Sequence, residues 1–146
     1  MSTADPRAAY AAYLEAEIED FRANQGKPAK GNFVNRQIVL LTTTGAKSGK
    51  PRIAPLAYTV DNGRVIVVAS KGGAPSHPAW YLNLLANPIV NVEIGAEKYQ
   101  ARARVIEGVE RERLYRQHAE LHPSFNDYVT KTDRVIPVVA LERTAG

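Results

Sequence analysis

A short basic segment, Thr42–Arg52, carries residue types that bind phosphate groups. Within its eleven residues lie the cations Lys47, Lys50 and Arg52, together with two glycines and four hydroxyl side chains. Cations, hydroxyls and the backbone N–H groups of a glycine-containing turn can converge on one anion. The segment therefore predicts a phosphate cradle, although a polar hairpin turn explains the same residues equally well.

This basic segment is not the phosphate loop of nucleoside triphosphatases. Gly45 and Gly49 are one residue too close together for that motif, and Pro51 stands where a Ser or Thr would bind Mg²⁺. The segment also joins two predicted strands, whereas a triphosphatase loop opens a helix. Nucleotide hydrolysis is therefore excluded.

A second segment, Ser70–Asn83, follows an apolar strand and leads into a short helix. Its Gly72–Gly73 pair lets another group approach the backbone closely, and a helix N-terminus favours anions. Trp80 and Tyr81 are as well explained by a place in the core as by a site. Asn83 lies one helical turn beyond Ala79, so it either faces the preceding loop or caps the helix end.

A third segment, His122–Tyr128, has aromatic residues on a short helix or turn that begins at Pro123. Such a segment either closes the end of a barrel or lines a pocket, and Phe125 suits both places. His122 can titrate near neutral pH, but a single histidine is more often a surface or helix-end residue. Asp133, beside Arg134, is expected to hold the last strand in place and not to act in catalysis.

The composition argues against several kinds of chemistry. The chain has no cysteine and only three histidines, none of them at the close helical spacing of a zinc motif, so we predict no metal site. No order of serine, histidine and acid and no pair of carboxylates indicates a hydrolase. Hydride transfer demands less of side chains, because a cofactor carries the reaction and the protein orients it.

Positive charge is concentrated in the middle of the chain. The formal net charge is +4, and between Gln25 and His77 eight basic residues face Asp61 as the one acidic residue. Such a surplus favours an anionic partner, which can be a nucleic acid, an anionic membrane or a phosphorylated small molecule. A solvated basic face is the alternative that composition alone favours.

Apolar patterns and breakers predict one domain with strands in the middle and helices around them. A first helix begins at Asp5–Pro6 and ends near Gly26, with an apolar stripe of Tyr10, Tyr13, Leu14, Ile18 and Phe21. Short helices are predicted over Pro78–Leu85, Val109–Leu121 and Pro123–Lys131. Six strands are predicted, over Gln37–Thr44, Pro51–Val60, Arg64–Ser70, Val90–Ile94, Lys98–Ile106 and Val135–Leu141. Since most of these strands are joined by turns, the pattern predicts an α+β fold built on a small antiparallel barrel.

Three sequence stretches resemble the deazaflavin-dependent nitroreductase family of actinobacteria. They are LLTTTGAKSGKPRIAPL (Leu40–Leu56), VVASKGGAPSHPAWYLNLLANP (Val67–Pro88) and HPSFNDYVTKTDRVIPVVALE (His122–Glu142). The resemblance spans roughly Gln37 to Glu142. It implies a six-stranded split β-barrel of the flavin-reductase type with flanking helices. It also implies the cofactor coenzyme F-420, a deazaflavin that carries a phosphate and a polyglutamate tail.

The same resemblance implies which residues bind the coenzyme. The phosphate and its linker would be contacted by Ala46, Lys47, Ser48, Arg52, Ile53, Ala54, Pro55, Leu56 and Ala57. The ring system would be bordered by Val68, Ala69, Ser70, Lys71, Ala79, Trp80, Tyr81, Leu82 and Asn83. Ser70 and Trp80 would lie nearest the reacting face, and the anionic tail would account for the basic surplus better than nucleic acid does.

The acceptor of the hydride would be a quinone, a nitroaromatic compound or an activated C=C bond. The resemblance implies an acceptor pocket formed by His122, Phe125 and Tyr128, in which Ser70 and Tyr128 orient the acceptor as catalytic residues. Members that reduce nitroimidazoles have tyrosines at the positions of His122 and Phe125, so only Tyr128 matches them. Phe125 has no hydroxyl for a nitro group, and we therefore expect quinone-type acceptors to be preferred.

Residues 1–30 are interpreted as an N-terminal helix and linker that can act as a lid, and residues 31–146 as the cofactor-binding barrel. An FMN-dependent split-barrel reductase or oxidase and a non-catalytic F-420 binding protein remain alternatives. We expect a cytoplasmic protein without a specific nucleic-acid partner. The first helix can touch a membrane, although its acidic residues oppose binding to anionic lipid. The oligomeric state is left open.

Overall fold

The computed structural model describes residues 6–27, 37–73, 76–132 and 134–144. Four α-helices and seven strands occur in this part of the chain. In order they are α1 (Pro6–Ala23), β1 (Ile38–Thr44), β2 (Pro51–Ala57), β3 (Thr59–Asp61), β4 (Arg64–Val68), α2 (Ala79–Ala86), β5 (Ile89–Ile94), β6 (Glu97–Ile106), α3 (Gly108–Leu121), α4 (Ser124–Tyr128) and β7 (Val138–Arg143), with a one-turn 3₁₀ helix over Lys71–Gly73.

The strands form one antiparallel sheet in the order β2-β1-β5-β6-β7-β4-β3. Strands β2 and β3 follow each other in the chain, yet they occupy opposite ends of this order. The sheet must therefore curl until its two ends meet, and β2 does contact β4. The result is a split barrel with helices around it, as the sequence predicted.

The prediction of six strands was wrong by one, because Pro51–Val60 is not a single strand. Residues of β2 pair with β1 as far as the Ile38–Ala57 pair. The Tyr58 N–H then donates to the Gln37 carbonyl over 3.2 Å, and the next residue, Thr59, pairs with Ile66 of β4. The chain thus changes its pairing partner at Tyr58, a switch that an unbroken β-rich sequence does not reveal.

The curled sheet has an apolar core on each face. Side chains of β4 alternate between the two cores, which explains why its sequence shows no polar alternation. One core, which includes Trp80 and Leu84 of α2, contains Val39, Leu41, Val65, Val67, Val90, Val92, Val139 and Leu141. The other, covered by α3 and α4, contains Ile66, Val68, Ile106, Leu114, Phe125, Ile136 and Val138.

Helix α1 is anchored through its C-terminal half. Phe21 is buried against Ile38 and Leu40 of β1. The Arg22 guanidinium donates to both carboxylate oxygens of Glu93 on β5, over 3.0 and 2.8 Å. The predicted apolar stripe of this helix is therefore buried at one end only, because Tyr10 at the other end is 64% exposed.

No helix of the described residues has the length and apolar character that a bilayer crossing requires.

A buried carboxylate, Asp61, fastens the turn between β3 and β4 to helix α3. Arg113 of α3 donates to both of its oxygens, over 3.0 and 3.1 Å, and Arg64 donates to one of them over 3.0 Å. The hydrogen bonds from Arg113 and Arg64 lower the pKa of the Asp61 carboxyl to about 2. Because this pKa lies below that of the unfolded chain, ionised Asp61 stabilises the fold above about pH 4 and loses this effect as the pH falls toward 2.

We expect Asp61→Asn to lower the free energy of unfolding at pH 7 by about 1–3 kcal/mol, the usual worth of hydrogen bonds to a charged group. The difference in free energy of unfolding between wild type and variant should become smaller as the pH falls from 4 to 2. Urea denaturation over this range measures it. Glu112→Gln is the control, since Glu112 makes an exposed ion pair with Arg111 and should change stability very little. A difference independent of pH would contradict the assignment.

Candidate functional site

A large cavity of about 960 Å³ opens between α1, the β1–β2 turn, strand β2, the end of β4, helix α2 and helix α4. This volume is at the upper end of the range usual for small-molecule and cofactor sites. The described residues that line it are Tyr10, Leu14, Gly45, Ala46, Lys47, Ser48, Arg52, Ile53, Ala54, Pro55, Leu56, Ala57, Val68, Ser70, Lys71, Pro78, Ala79, Trp80, Leu82, Asn83, Phe125 and Tyr128.

The basic turn between β1 and β2 closes one end of this cavity. The Gly45 N–H donates to the Lys50 carbonyl over 2.8 Å, and the Gly49 N–H donates back to the Gly45 carbonyl over 2.9 Å. Gly49 adopts a φ of +70°, and a Cβ on Gly45 would lie 2.5 Å from the Ser48 hydroxyl oxygen. Both glycines are therefore needed for a turn this tight.

Asn83 of α2 holds the basic turn from behind. Its side-chain oxygen accepts the Ala46 N–H over 3.0 Å, and its side-chain nitrogen donates to the Thr43 hydroxyl over 3.2 Å. Asn83 is buried, so these hydrogen bonds are protected from water. The sequence left two positions open for Asn83, facing the preceding loop or capping the helix end, and the side chain takes neither, because it binds the β1–β2 turn.

The cavity is positively charged at the end formed by the turn. Lys47 and Arg52 line this end with exposed side chains, Lys71 lines the cavity just after the end of β4, and none of the described lining residues carries a carboxylate. Uncompensated cations around a concave surface raise the local concentration of anions. The arrangement can therefore hold a phosphate or carboxylate group at this end.

The floor of the cavity is the end of β4. Ala69 is fully buried and donates its N–H to the Pro137 carbonyl over 2.9 Å, whereas Ser70 lines the cavity. The Gly73 N–H donates to the Ser70 carbonyl over 3.0 Å, which turns the chain away from the strand. Lys71 has a φ of +48°, an uncommon conformation for a residue with a side chain.

Helix α2 forms one side wall of the cavity. Ala79, Trp80, Leu82 and Asn83 line the cavity, and the Trp80 ring also packs edge-on against the Tyr81 ring at 6.4 Å between centroids. Tyr81 itself does not line the cavity and belongs to the core. It therefore supports Trp80 from behind.

The other side wall is formed by Phe125 and Tyr128 of α4, whose ring centroids lie 4.9 Å apart, together with Tyr10 and Leu14 of α1. Phe125 packs edge-on against the buried ring of His118 at 4.5 Å. Both places that the sequence allowed for Phe125 are thus correct, because it contacts the core with one side and the cavity with the other.

His122 lies apart from the cavity, although the resemblance assigned it to the acceptor pocket. It is buried, and its Nε2 lies 3.0 Å from the Tyr58 carbonyl oxygen, which can only accept, so Nε2 carries the proton. The His122 ring also packs beside His118, whose pKa is lowered to about 3 by burial and by the charge of His122. His122 thus holds the strand switch at Tyr58.

The cavity therefore brings together most of the residues that the sequence assigned to a site, and leaves out Ala69, Tyr81 and His122. It adds Gly45, Pro78, Tyr10 and Leu14. Gly45 and Pro78 lie within the first and second segments but were not among the residues assigned to coenzyme contacts. Tyr10 and Leu14 belong to the apolar stripe of the N-terminal helix, which was expected to act as a lid. A further residue, Arg134, bonds to the Ala69 and Ser70 carbonyls of the cavity floor but does not line the cavity.

Comparison with known proteins gives a consistent picture. A family model described as F420H(2)-dependent quinone reductase matches residues 14–143. The chain is 39% identical over 108 residues to an F420H(2)-dependent quinone reductase of Mycobacterium tuberculosis, with 72% of each chain covered. It is 40% identical over 103 residues to a protein of the same organism described as a putative F420H(2)-dependent quinone reductase, covering 70% of this chain and 87% of that protein.

Two solved structures are similar in both fold and sequence. One, described as an F420-H2 dependent reductase, has a TM-score of 0.68 and 51% identity, and covers 73% of this chain and 95% of that one. Another, described as a domain-swapped dimer, has a TM-score of 0.70 and 42% identity, and covers 93% of this chain and 99% of that one.

Gly73 controls how closely the cavity floor approaches helix α4. Its φ is +84°, and a Cβ there would lie 2.9 Å from the Tyr128 carbonyl oxygen and 2.8 Å from the Lys131 Cβ. Gly63 has a similar φ of +79° with nothing within 4 Å of a Cβ. The two glycines therefore share backbone strain and differ in crowding.

We expect Gly63→Ala to lower the free energy of unfolding by about 1 kcal/mol from backbone strain alone. Gly73→Ala should cost roughly 1–3 kcal/mol more, because the added methyl group must push α4 away. Chemical denaturation of both variants measures the difference. Equal losses would show that α4 does not pack against the floor as described.

Proposed function

The chain belongs to the F420H(2)-dependent quinone reductase family, and we propose that it transfers a hydride from reduced coenzyme F-420 to a quinone-type acceptor through the cavity described above. The resemblance found in the sequence thus identified the correct cofactor and fold. The protein is an oxidoreductase of the split-barrel type.

The observation that carries the proposal is the combination of size, charge and lining in one cavity. A deazaflavin with an anionic tail needs a long cleft with cations at one end and flat apolar or aromatic side chains at the other. The cavity has Lys47 and Arg52 at one end and Trp80, Phe125 and Tyr128 farther along. Nothing in the described lining repels a phosphate, so the residues present fit the coenzyme.

At the basic end, we assign phosphate binding to Lys47 and Arg52, with the Ser48 hydroxyl and the amides of the turn as further donors. The residues from Ile53 to Ala57 line the path of the linker along β2. Since Asn83 fixes the basic turn, the hydrogen-bond donors of the turn need little reordering when an anion binds. This reduces the entropic cost of binding the charged tail.

Coenzyme F-420 supplies the hydride when it is bound, and the chain orients the two reactants. We assign the ring to the space bordered by Val68, Ser70, Ala79 and Trp80, which meet at the cavity floor. Ala69 and Tyr81 act from behind as supports. Packing of rigid walls around the ring excludes water and keeps the reacting atoms at a productive distance.

We assign the acceptor to the wall formed by Phe125 and Tyr128, closed from above by Tyr10 and Leu14. Ser70 and Tyr128 carry the hydroxyls that can orient a carbonyl oxygen of the acceptor. His122 is assigned an indirect role, since it holds Tyr58 and packs near Phe125.

Residues 1–30 act in this proposal as a lid. The Arg22–Glu93 ion pair fixes one end of α1, and Tyr10 and Tyr13 at the other end are 64% and 41% exposed. Exposed aromatic side chains at a cavity mouth suit a lipophilic acceptor or the edge of a membrane. A domain-swapped dimer among the similar structures makes a dimer a reasonable expectation for this chain as well.

Titration with F-420 and, separately, with FMN tests the proposed cofactor. Lys47→Ala and Arg52→Ala should each weaken F-420 binding by about 1–3 kcal/mol, the usual worth of a charge-assisted hydrogen bond, and FMN should bind less tightly. Arg116→Ala is the control, because it removes one exposed cation of α3 outside the cavity. Unchanged affinity in both turn variants would move the site elsewhere.

Acceptor screening tests the assignment of the aromatic wall. We expect quinones to be reduced faster than nitroimidazoles, because Phe125 offers no hydroxyl to a nitro group. Phe125→Tyr should raise the nitroimidazole rate relative to the quinone rate, and Phe125→Leu should not. Equal or faster nitroimidazole reduction by the wild type would refute the preference.

A further inference from the structure

Arg134 contacts the backbone of the cavity floor but is not one of the residues that line the cavity. Its guanidinium donates to the Ala69 carbonyl over 3.1 Å and to the Ser70 carbonyl over 2.7 Å. It lies 64 residues away from Ser70 in the sequence and does not line the cavity. We propose that Arg134 is the positioning residue of the reaction site, which sets the place of Ser70 and of the ring-binding floor.

The two carbonyls that Arg134 contacts belong to consecutive residues. Because trans peptide groups are planar, fixing both carbonyls fixes the orientation of the Ala69–Ser70 and Ser70–Lys71 peptide planes. The direction of the Ser70 side chain follows from these two planes. A guanidinium can do this because its donors form a rigid planar fork, which an ammonium group lacks.

The backbone at this point needs to be held. Lys71, the next residue, has a φ of +48°, a conformation that costs of order 1–3 kcal/mol and persists only where the surroundings impose it. The Gly73 N–H and Arg134 both bond to the Ser70 carbonyl. Arg134 is the charged one of these two donors and therefore the stronger.

Arg134 also connects the floor with helix α2. Its guanidinium donates to His77 Nδ1 over 2.9 Å, so His77 must be neutral with its proton on Nε2. Burial and the neighbouring Arg134 charge lower the pKa of His77, in agreement with a neutral imidazole ring. The His77 ring packs 4.9 Å from the Tyr81 ring, which supports Trp80. One side chain thus links both walls that border the proposed ring site.

The consequence for the reaction rests on the proposed function. If Ser70 and Trp80 border the coenzyme ring, loss of the Arg134 clamp displaces the floor relative to the acceptor wall. Hydride transfer is sensitive to such shifts, and a displacement of about 1 Å can cost up to 100-fold in rate. The anionic end of the coenzyme, held by the basic turn, should be little affected.

Arg111 provides a matched control for a merely structural role. Its guanidinium donates to the Ile136 carbonyl over 3.2 and 2.7 Å, the same type of contact with a backbone oxygen. Its side chain is also largely buried, but Ile136 belongs to the core under α3 and not to the cavity. Loss of this contact should cost stability without moving Ser70.

The experiment compares Arg134→Gln, Arg134→Lys and Arg111→Gln with the wild type. In the protein without coenzyme, exchange of the Gly73 amide, whose N–H bonds to the Ser70 carbonyl, should speed up in Arg134→Gln and stay unchanged in Arg111→Gln. The Ala69 amide is left out of the comparison because it bonds to Pro137, next to Ile136. With F-420 bound, kcat should fall by about 10- to 100-fold in Arg134→Gln. The F-420 dissociation constant should change less than in the Lys47 and Arg52 variants, and Arg134→Lys should restore part of kcat.

Exchange and kcat that respond alike in Arg134→Gln and Arg111→Gln would overturn the proposal, since both arginines would then be structural. Should Arg134→Gln fail to fold, Arg134→Lys gives the same comparison, because it keeps the charge and loses the fork. Unchanged exchange in Arg134→Lys together with full kcat would also overturn it. If the wild type bound no F-420, the proposed function would fail, whereas the exchange measurement would still report on the clamp.

Discussion

Two hydrogen bonds of the Asn83 carboxamide join the basic turn to helix α2. They link Thr43 and Ala46 on one side with the helix that carries Trp80 on the other. The proposed phosphate-binding end and the proposed ring-binding end of the cavity are consequently parts of one rigid frame. A site for a long, two-part cofactor depends on such a frame, because binding the tail then fixes where the reactive ring lies.

The barrel supplies this frame by the way it closes. The switch at Tyr58 carries the chain from one end of the sheet to the other, so that β2 and the end of β4 both face the same cavity. His122 bonds to the Tyr58 carbonyl at that switch, and Arg134 bonds to the carbonyls at the end of β4. Gly73 allows α4 to pack closely against the end of β4. Each of these residues acts on the backbone and leaves the cavity itself to small, aromatic and cationic side chains.

Much of this could be predicted from the sequence. The apolar runs predicted the position of most strands, and the glycines and cations of Gly45–Arg52 singled out a turn that lines the cavity. What could not be predicted depends on contacts between distant residues. Nothing local in Pro51–Val60 reveals that its pairing partner changes, and His122 looks like any titratable histidine until its Nε2 is found at the Tyr58 carbonyl. The strand-holding role was predicted for Asp133, which lies outside the described residues, and Arg134 was named only as its neighbour. The Arg134 guanidinium bonds to the end of β4, 64 residues earlier in the chain.

We propose that the cations and amides of the basic turn neutralise the phosphate of a deazaflavin coenzyme. A crystal structure of the complex with F-420 tests this most directly. We expect the phosphate beside Lys47 and Arg52, with the ring between the end of β4 and Trp80. A coenzyme bound elsewhere, or a turn whose donors are blocked by the protein's own side chains, would overturn the proposal.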